Sequence, residues 1–305
     1  MSADPLRWLL RRPWRDVTLP PDAVGIPTML SKSERKLLYG LARDYARGDA
    51  AIVDGGSFLG GSTAALLAGV RDRAEGWAGP PVASYDLFRV EEYTLKKFFP
   101  DASVGDSFRP QYDAHLARFD IPLDVREGDI TQIGWSGEPI EVLFLDVLKS
   151  PEITDAVLHD FFPFLIPGRS VIVHQDYAAH YTPWVPIFVE LMRDSLTLVD
   201  WMEWGSHVFL LEREVPAGIS LASLDLDTRF ELLDQAINRA DGWVRGMLEL
   251  SRTALVVERD GPEAGAADAD AVAARHKPYR NVGEAAAEVR QNLVGQRGWL
   301  KRLTA

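Results

Sequence analysis

The sequence predicts an α/β chain: a doubly wound, mostly parallel sheet of seven strands with a C-terminal helical appendage. Three observations predict it. Short apolar runs alternate with amphipathic stretches along most of the first two hundred residues, the pattern of strands joined by crossover helices. The first of these runs, AIVD at 51–54, opens straight into a glycine-rich turn, DGGSFLGGST. The run EVLFLDV at 141–147 is apolar almost without interruption, as a strand covered on both faces must be.

The elements follow in order. Residues 1–30 are rich in Pro and Trp, lack a clear period, and read as an N-terminal arm. Ser31 or Ser33 can cap a helix running to about Arg47, with Leu37, Leu38, Leu41 and Tyr45 on one face. After the first strand, Gly55–Gly61 form a loop and a helix runs from Ser62 to about Glu75. Gly79, Pro80 and Pro81 break the chain before the second strand, 82–88. Residues 89–119 read as helical pieces interrupted near Gly105. The third strand is 122–130, the fourth 141–147 and the fifth 170–176, with a helix at 151–165 and the turn Pro167-Gly168 between the last two. A helix at 184–194 leads to a closing hairpin, 196–202 and 207–213, turned at Gly205. Residues 225–257 read as a long amphipathic helix or a helix pair, 260–271 as an acidic linker, and 283–302 as one more helix. The domain division is therefore an arm at 1–30, the sheet domain at 31–216 and the appendage at 217–305, the last expected to close an oligomer or cover the active site.

Composition narrows the functional classes. The 305 residues carry a net charge of −12, with 33 basic and 45 acidic side chains. A protein that grips phosphate backbones presents a basic surface, so nucleic acid is not the expected partner. The absence of cysteine removes disulfides, zinc–thiolate sites and cysteine nucleophiles, and suits a cytoplasmic location. No apolar run approaches the roughly 20 residues that span a bilayer. Trp8, Leu9, Leu10 and Trp14 among arginines could rest on a membrane surface, but Pro13 limits any helix there, and packing on the chain's own domain or a subunit partner is the favoured expectation.

The glycine turn carries the chemistry. Asp54, Gly56 and Gly60 have acid-x-Gly-x-x-x-Gly spacing, Ser57 lies inside the turn, and Ser62 or Thr63 can start the following helix. A dinucleotide loop reads Gly-x-Gly-x-x-Gly and a phosphate loop needs Gly-Lys-Ser/Thr; neither is present. The segment resembles motif I of the class I S-adenosylmethionine-dependent methyltransferases. That resemblance, which covers about residues 50–213, implies the Rossmann-like methyltransferase fold and S-adenosyl-L-methionine as cofactor. It implies that the loop contacts the amino-acid half of the cofactor. It also implies that Asp86, ending the second strand, holds the ribose hydroxyls and that Asp129, after the third, meets the adenine amine.

The fourth strand ends in Asp146 with Lys149 three residues on, and the fifth ends in His174-Gln175-Asp176-Tyr177. Two carboxylates on neighbouring strand ends suit a hard divalent cation such as Mg²⁺. The arrangement is similar to the catechol-type and macrocin-type O-methyltransferases, which implies Asp146 and Asp176 as metal ligands and Lys149 as base. The catechol pattern has Asp-Asn at the end of strand five, so this chain departs from it. A metal-free variant with His174 or His180 as base stays open. Phe88, Tyr93, Phe98, Phe99, Phe108 and Tyr112 could wall a substrate pocket, though core packing explains most of them.

The expected function is an O-methyltransferase acting on a hydroxyl of a small molecule, a sugar or natural product. A nicotinamide oxidoreductase would need Gly-x-Gly-x-x-Gly and a Tyr-x-x-x-Lys pair, which are missing. A non-catalytic S-adenosylmethionine-binding or assembly protein on the same fold is the alternative.

Overall fold

The computed structural model describes residues 4–202, 205–216 and 218–294. Seven strands form one sheet: β1 (Ala51–Gly55), β2 (Val82–Asp86), β3 (Leu123–Glu127), β4 (Ile140–Leu145), β5 (Val171–His174), β6 (Leu196–Trp201) and β7 (His207–Leu211). Their order is β3-β2-β1-β4-β5-β7-β6. All neighbours run parallel except β7, which lies antiparallel to both β5 and β6. This is the doubly wound Rossmann-like sheet of the methyltransferase fold. Its order reverses between β1 and β4, and the crevice beyond the carboxyl ends of those strands is where such sheets take ligands.

The central strands β1, β4, β5 and β7 are buried along their whole length, so each face of the sheet needs a helical layer. One face is covered by α3 (Lys32–Gly40, continued by a π-turn over Leu41–Tyr45), α4 (Gly61–Arg71), α5 (Glu92–Phe98) and α6 (Arg109–Leu116), together with the arm. Ser31 starts α3 with a reciprocal capping box to Glu34. The arm is not a loose tail: α1 (Pro5–Leu10) and α2 (Pro21–Val24) bury Leu9 and Ala23, and the segments beside them bury Trp14, Leu19 and Ile26, in the same core. Arg12 and Arg15 both pair with Asp200, which is 1% exposed on β6.

The other face is covered by α7 (Ile130–Ile133), α8 (Pro151–Asp160), α9 (Trp184–Leu191) and α10 (Leu226–Arg239). Phe230, Leu233, Ala236 and Ile237 of α10 belong to the same continuous core as Phe188 and Met192, so the first appendage helix completes the sheet domain. Of the long helix or helix pair expected over 225–257, the pair is present, broken at Ala240 and Asp241 before α11 (Gly242–Asp260).

The acidic linker expected at 260–271 is instead helix α12 (Pro262–Arg275). Proline at its start is preorganised for a helix, and Gly265, Ala269 and Val272 bury one small-residue face. Alanine-rich composition sustains the rest. Acidic residues and two glycines disguised this stripe in the sequence. α13 (Arg280–Val294) packs with α11 and α12 around a third cluster that includes Leu250, Val282 and Val289. The expected helix over 283–302 thus begins earlier, and its part beyond 294 lies outside the described residues. Among the described residues no helix is long and apolar enough to cross a membrane.

Candidate cofactor and active site

The turn after β1 is built by buried side chains. Asp54 is 0% exposed; its Oδ2 accepts hydrogen bonds from Ser62 Oγ (2.9 Å) and Thr63 Oγ1 (2.5 Å), tying the strand end to the first turn of α4. Among the described residues its Oδ1 has no hydrogen-bond partner. Burial pushes the Asp54 carboxyl up to about 7, against the two hydroxyls, which lower it, while Asp86 adds to the rise. Ser57, also buried, hangs with Gly56 from the Tyr85 carbonyl through its backbone N–H (3.2 Å; 2.8 Å for Gly56). Gly60, at φ +94°, is the left-handed residue from which α4 starts. Asp54, Ser57 and Ser62, expected to touch cofactor, therefore shape the loop, and its accessible surface belongs to Gly56 and Phe58.

Gly56 has a second reason to be glycine. At φ +93° a Cβ there would stand 2.8 Å from the Asp146 carbonyl oxygen. The close approach it permits is to the neighbouring strand end, which sequence spacing could not reveal.

Asp86 ends β2, partly exposed. Its two oxygens accept from the backbone N–H of Phe58 (2.8 Å) and Phe88 (2.7 Å), locking the β1 and β2 turns together. Burial raises its pKa, opposed by those two amides. Phe58 and Phe88 both have positive φ, 48° and 51°, as does Asp176 at 54°. Bulky residues pay for that conformation, and three such residues after β1, β2 and β5 place backbone strain around one crevice. Asp129 is exposed and N-caps α7, accepting from Thr131 N–H (2.9 Å) and Oγ1 (2.8 Å).

Asp146 and Asp176 converge around Lys149. Its Nζ donates to Asp146 Oδ1 at 2.8 Å and pairs closely with Asp176 Oδ2. The ammonium occupies the position assigned to a metal. Among the described residues no three His, Cys, Asp or Glu side chains are grouped as metal ligands. Two carboxylates already bridged by an ammonium do not fit Mg²⁺.

The same geometry corrects the role expected of Lys149. Burial pulls its pKa down, but Asp146, Asp176 and Tyr181 outweigh burial and hold it well above the ordinary lysine value. It is a fixed cation, unsuited to accept a proton. Asp146 is the reverse: burial pushes its pKa up, Lys149 pulls it back, and Asp176 pushes it further up. With 21% of its side chain exposed, Asp146 presents to the crevice a carboxylate of raised pKa, a feature that sequence reasoning missed.

His174 is also reassigned. It is 0% exposed, its ring lies edge-on to Phe188 and Phe209, and neither nitrogen has a hydrogen-bond partner. Burial, with His207 nearby, drives its pKa down to about 3. A side chain with no accessible surface cannot touch an acceptor, so His174 is a neutral core residue. His180 is buried against Tyr181, with Glu288 of α13 at 3.7 Å. Of the aromatic set after β2, Phe88, Phe99, Phe108 and Tyr112 are buried, Phe98 packs on the same core, and Tyr93 stands 53% exposed.

No protein-family model matches the chain, and no curated protein matches it. Among solved structures it is similar to the apo form of CalS11, a TDP-rhamnose 3'-O-methyltransferase of calicheamicin biosynthesis, at 16% identity and a TM-score of 0.42 over 70% of this chain and 93% of that one. It is similar to cofactor-bound Rv0187 from MTB at 17% identity and a TM-score of 0.43, covering 69% and 91%. It is also similar to an rRNA methylase from Streptococcus thermophilus at 13% identity and a TM-score of 0.37, covering 61% and 99%. Likeness at this level assigns neither a substrate nor an activity to this chain.

Proposed function

We propose that this protein is an S-adenosylmethionine-dependent O-methyltransferase acting on a hydroxyl of a small molecule. The observation that carries the reading is the convergence, at the switch point of the sheet, of a strained glycine turn, the Asp86 strand-end carboxylate and the Asp146–Lys149–Asp176 cluster. The partly exposed Asp86 at the end of β2 suits a ligand with ribose hydroxyls. Gly56, Phe58 and Asp86 are the residues that would hold it. When bound, the cofactor supplies an electrophilic methyl group.

The chain's own residues then supply alignment and a proton path. Asp146 takes the proton of the acceptor hydroxyl on its carboxylate. Lys149 stays charged, keeps Asp146 ionised and fixes it relative to Asp176. Tyr181 donates to Asp176 Oδ1 at 3.2 Å and holds that carboxylate in place. The raised pKa of a crevice carboxylate favours an enzyme over a non-catalytic binding protein.

A crystal grown with S-adenosylhomocysteine tests the reading. Density is expected along Gly56, Phe58 and Asp86, with the sulfur turned toward Asp146. Density elsewhere, or none at saturating ligand, would overturn it.

A further inference from the structure

The turn after β5 is strained, and it supplies one carboxylate of the ion cluster. Asp176 holds φ +54°, a conformation that a non-glycine residue keeps only where its surroundings fix it. Within the turn, Thr182 Oγ1 donates to the Asp176 carbonyl at 2.9 Å, and the Tyr181 hydroxyl donates to Asp176 Oδ1 at 3.2 Å. His180, on the same turn, reaches the appendage. Its ring lies edge-on to Tyr181 with centroids 5.1 Å apart, and its Nε2 faces Glu288 Oε2 of α13 at 3.7 Å. That nitrogen is buried and has no hydrogen-bond partner among the described residues, a costly state that a small approach by the Glu288 carboxylate relieves.

The appendage meets this edge of the sheet at two places. β5 and β6 both run antiparallel to β7, so their carboxyl ends lie on the same side. Trp201, the last residue of β6, lies edge-on to Trp243 in the first turn of α11, with centroids 6.0 Å apart. Glu288 makes the second contact, at the turn after β5. α13 is seated closely on α11, since a Cβ on Gly246 would stand 2.8 Å from Val282. The other charged side chains of α13 are engaged inside the appendage: Arg280 pairs with Glu284, and Arg290 with Asp270 of α12. Among the described residues, the ion-pair partner of Glu288 is His180, across the boundary with the sheet domain.

We propose that Glu288 is a positioning residue of the active site: it engages His180 and so holds the turn that keeps Tyr181 on Asp176 and Asp176 on Lys149. The appendage thus supports the acceptor side of the crevice through one side chain. The role rests on the methyltransferase reading above, which supplies the reaction that the ion cluster serves.

The test uses full-length protein labelled with 3-fluorotyrosine, the Tyr181 resonance being identified by its loss in Tyr181→Phe. Its fluorine shift reports the hydrogen bond from the phenol to Asp176. Glu288→Ala should move that resonance and speed hydrogen exchange across residues 177–182 by about threefold or more. Glu288 is 62% exposed, so its removal leaves the core of the appendage intact. Glu288→Gln keeps an oxygen acceptor and should restore most of both signals. Arg290→Ala breaks an ion pair of α13 that does not reach the turn, and should match wild type. Signals unmoved in Glu288→Ala, signals moved as far in Arg290→Ala, or a Glu288→Gln variant no better than Glu288→Ala would each overturn the proposal. S-adenosylhomocysteine affinity should be equal in Glu288→Ala and wild type; a weaker variant would place Glu288 in cofactor binding and also overturn it. Absence of saturable binding in wild type would instead overturn the methyltransferase reading, and the fluorine and exchange measurements need no ligand, so the two failures are separable.

Discussion

Gly56 stands nearer the Asp146 carbonyl than a side chain allows, and its positive φ adds a second penalty. Gly56→Ala should therefore cost about 2 kcal/mol or more of stability even without ligand. A urea midpoint that falls at unchanged slope would show this; an unmoved midpoint would return the glycine to a purely ligand-facing role. Asp54 gives a pH signature. Its native pKa near 7 lies above that of an unfolded aspartate, about 4. The native state thus holds an extra proton between those values, and the stability it confers is complete below about 4 and lost as pH rises through about 7. Asp54→Asn has no such proton, so wild type should lose stability relative to it between pH 5 and pH 8, on the order of 1 kcal/mol or more. A difference that is flat with pH would contradict the buried neutral carboxyl. Lys149→Gln removes the charge that lowers the Asp146 pKa. If Asp146 accepts the proton, activity falls as pH falls through its pKa, and the variant's acid limb should move to higher pH. With an acceptor in hand, EDTA should leave turnover unchanged, since Lys149 already serves as counter-ion; loss of turnover that Mg²⁺ restores would contradict that.

The helices that frame the site form a chain of supports running into the appendage. Asp176 and Tyr181 sit on the turn between β5 and α9. That turn is pinned by Thr182 Oγ1 donating to the Asp176 carbonyl (2.9 Å) and by Ala178 N–H donating to Gly205 (3.3 Å). α9 in turn rests on α10, where Arg239 pairs at 3.1 Å with Glu190, a carboxylate whose side chain is 2% exposed. Arg239→Ala should leave Glu190 buried and unpaired, costing about 1–3 kcal/mol, less than a fully buried pair because Arg239 is half exposed. Thermal or chemical denaturation checks this, and an unchanged midpoint would mean that the pair contributes nothing. Truncation at Val215 would strip the α10 face from the core and should yield insoluble or unfolded chain, whereas the sequence-based division at 217 expects a self-standing sheet domain. Most of the seven strands were legible in the sequence as compact apolar runs bounded by Gly, Pro or charged residues, while β3, Leu123–Glu127, carries charge within it and was legible from its flanks. α12 was not, because its buried face consists of Gly265, Ala269 and Val272, too small to register as a hydrophobic stripe.

Across the whole molecule, the sheet order and the site's location at its switch point follow from alternation and one glycine turn, both local signals. What the sequence could not carry was direction. Asp146, Lys149 and Asp176 were identifiable as neighbours, but whether the lysine would bridge the carboxylates depended on a side-chain path that spacing does not encode. His174 looked like a crevice residue because it precedes a strand end. Strand alternation turns it to the sheet face where Phe188 and Phe209 lie. Tyr93, exposed, was hidden in the sequence among aromatics that do pack. The central claim is that the β1 turn and Asp86 hold S-adenosylmethionine, and calorimetric titration of the full-length protein with S-adenosylhomocysteine tests it most directly. One saturable site with a Kd of roughly 1–100 μM is expected, weakened about tenfold or more in Asp86→Ala, with the variant's fold verified by its unfolding transition. No saturable binding up to about 1 mM, corresponding to less than about 4 kcal/mol of affinity, or equal affinity in a folded Asp86→Ala variant, would contradict it.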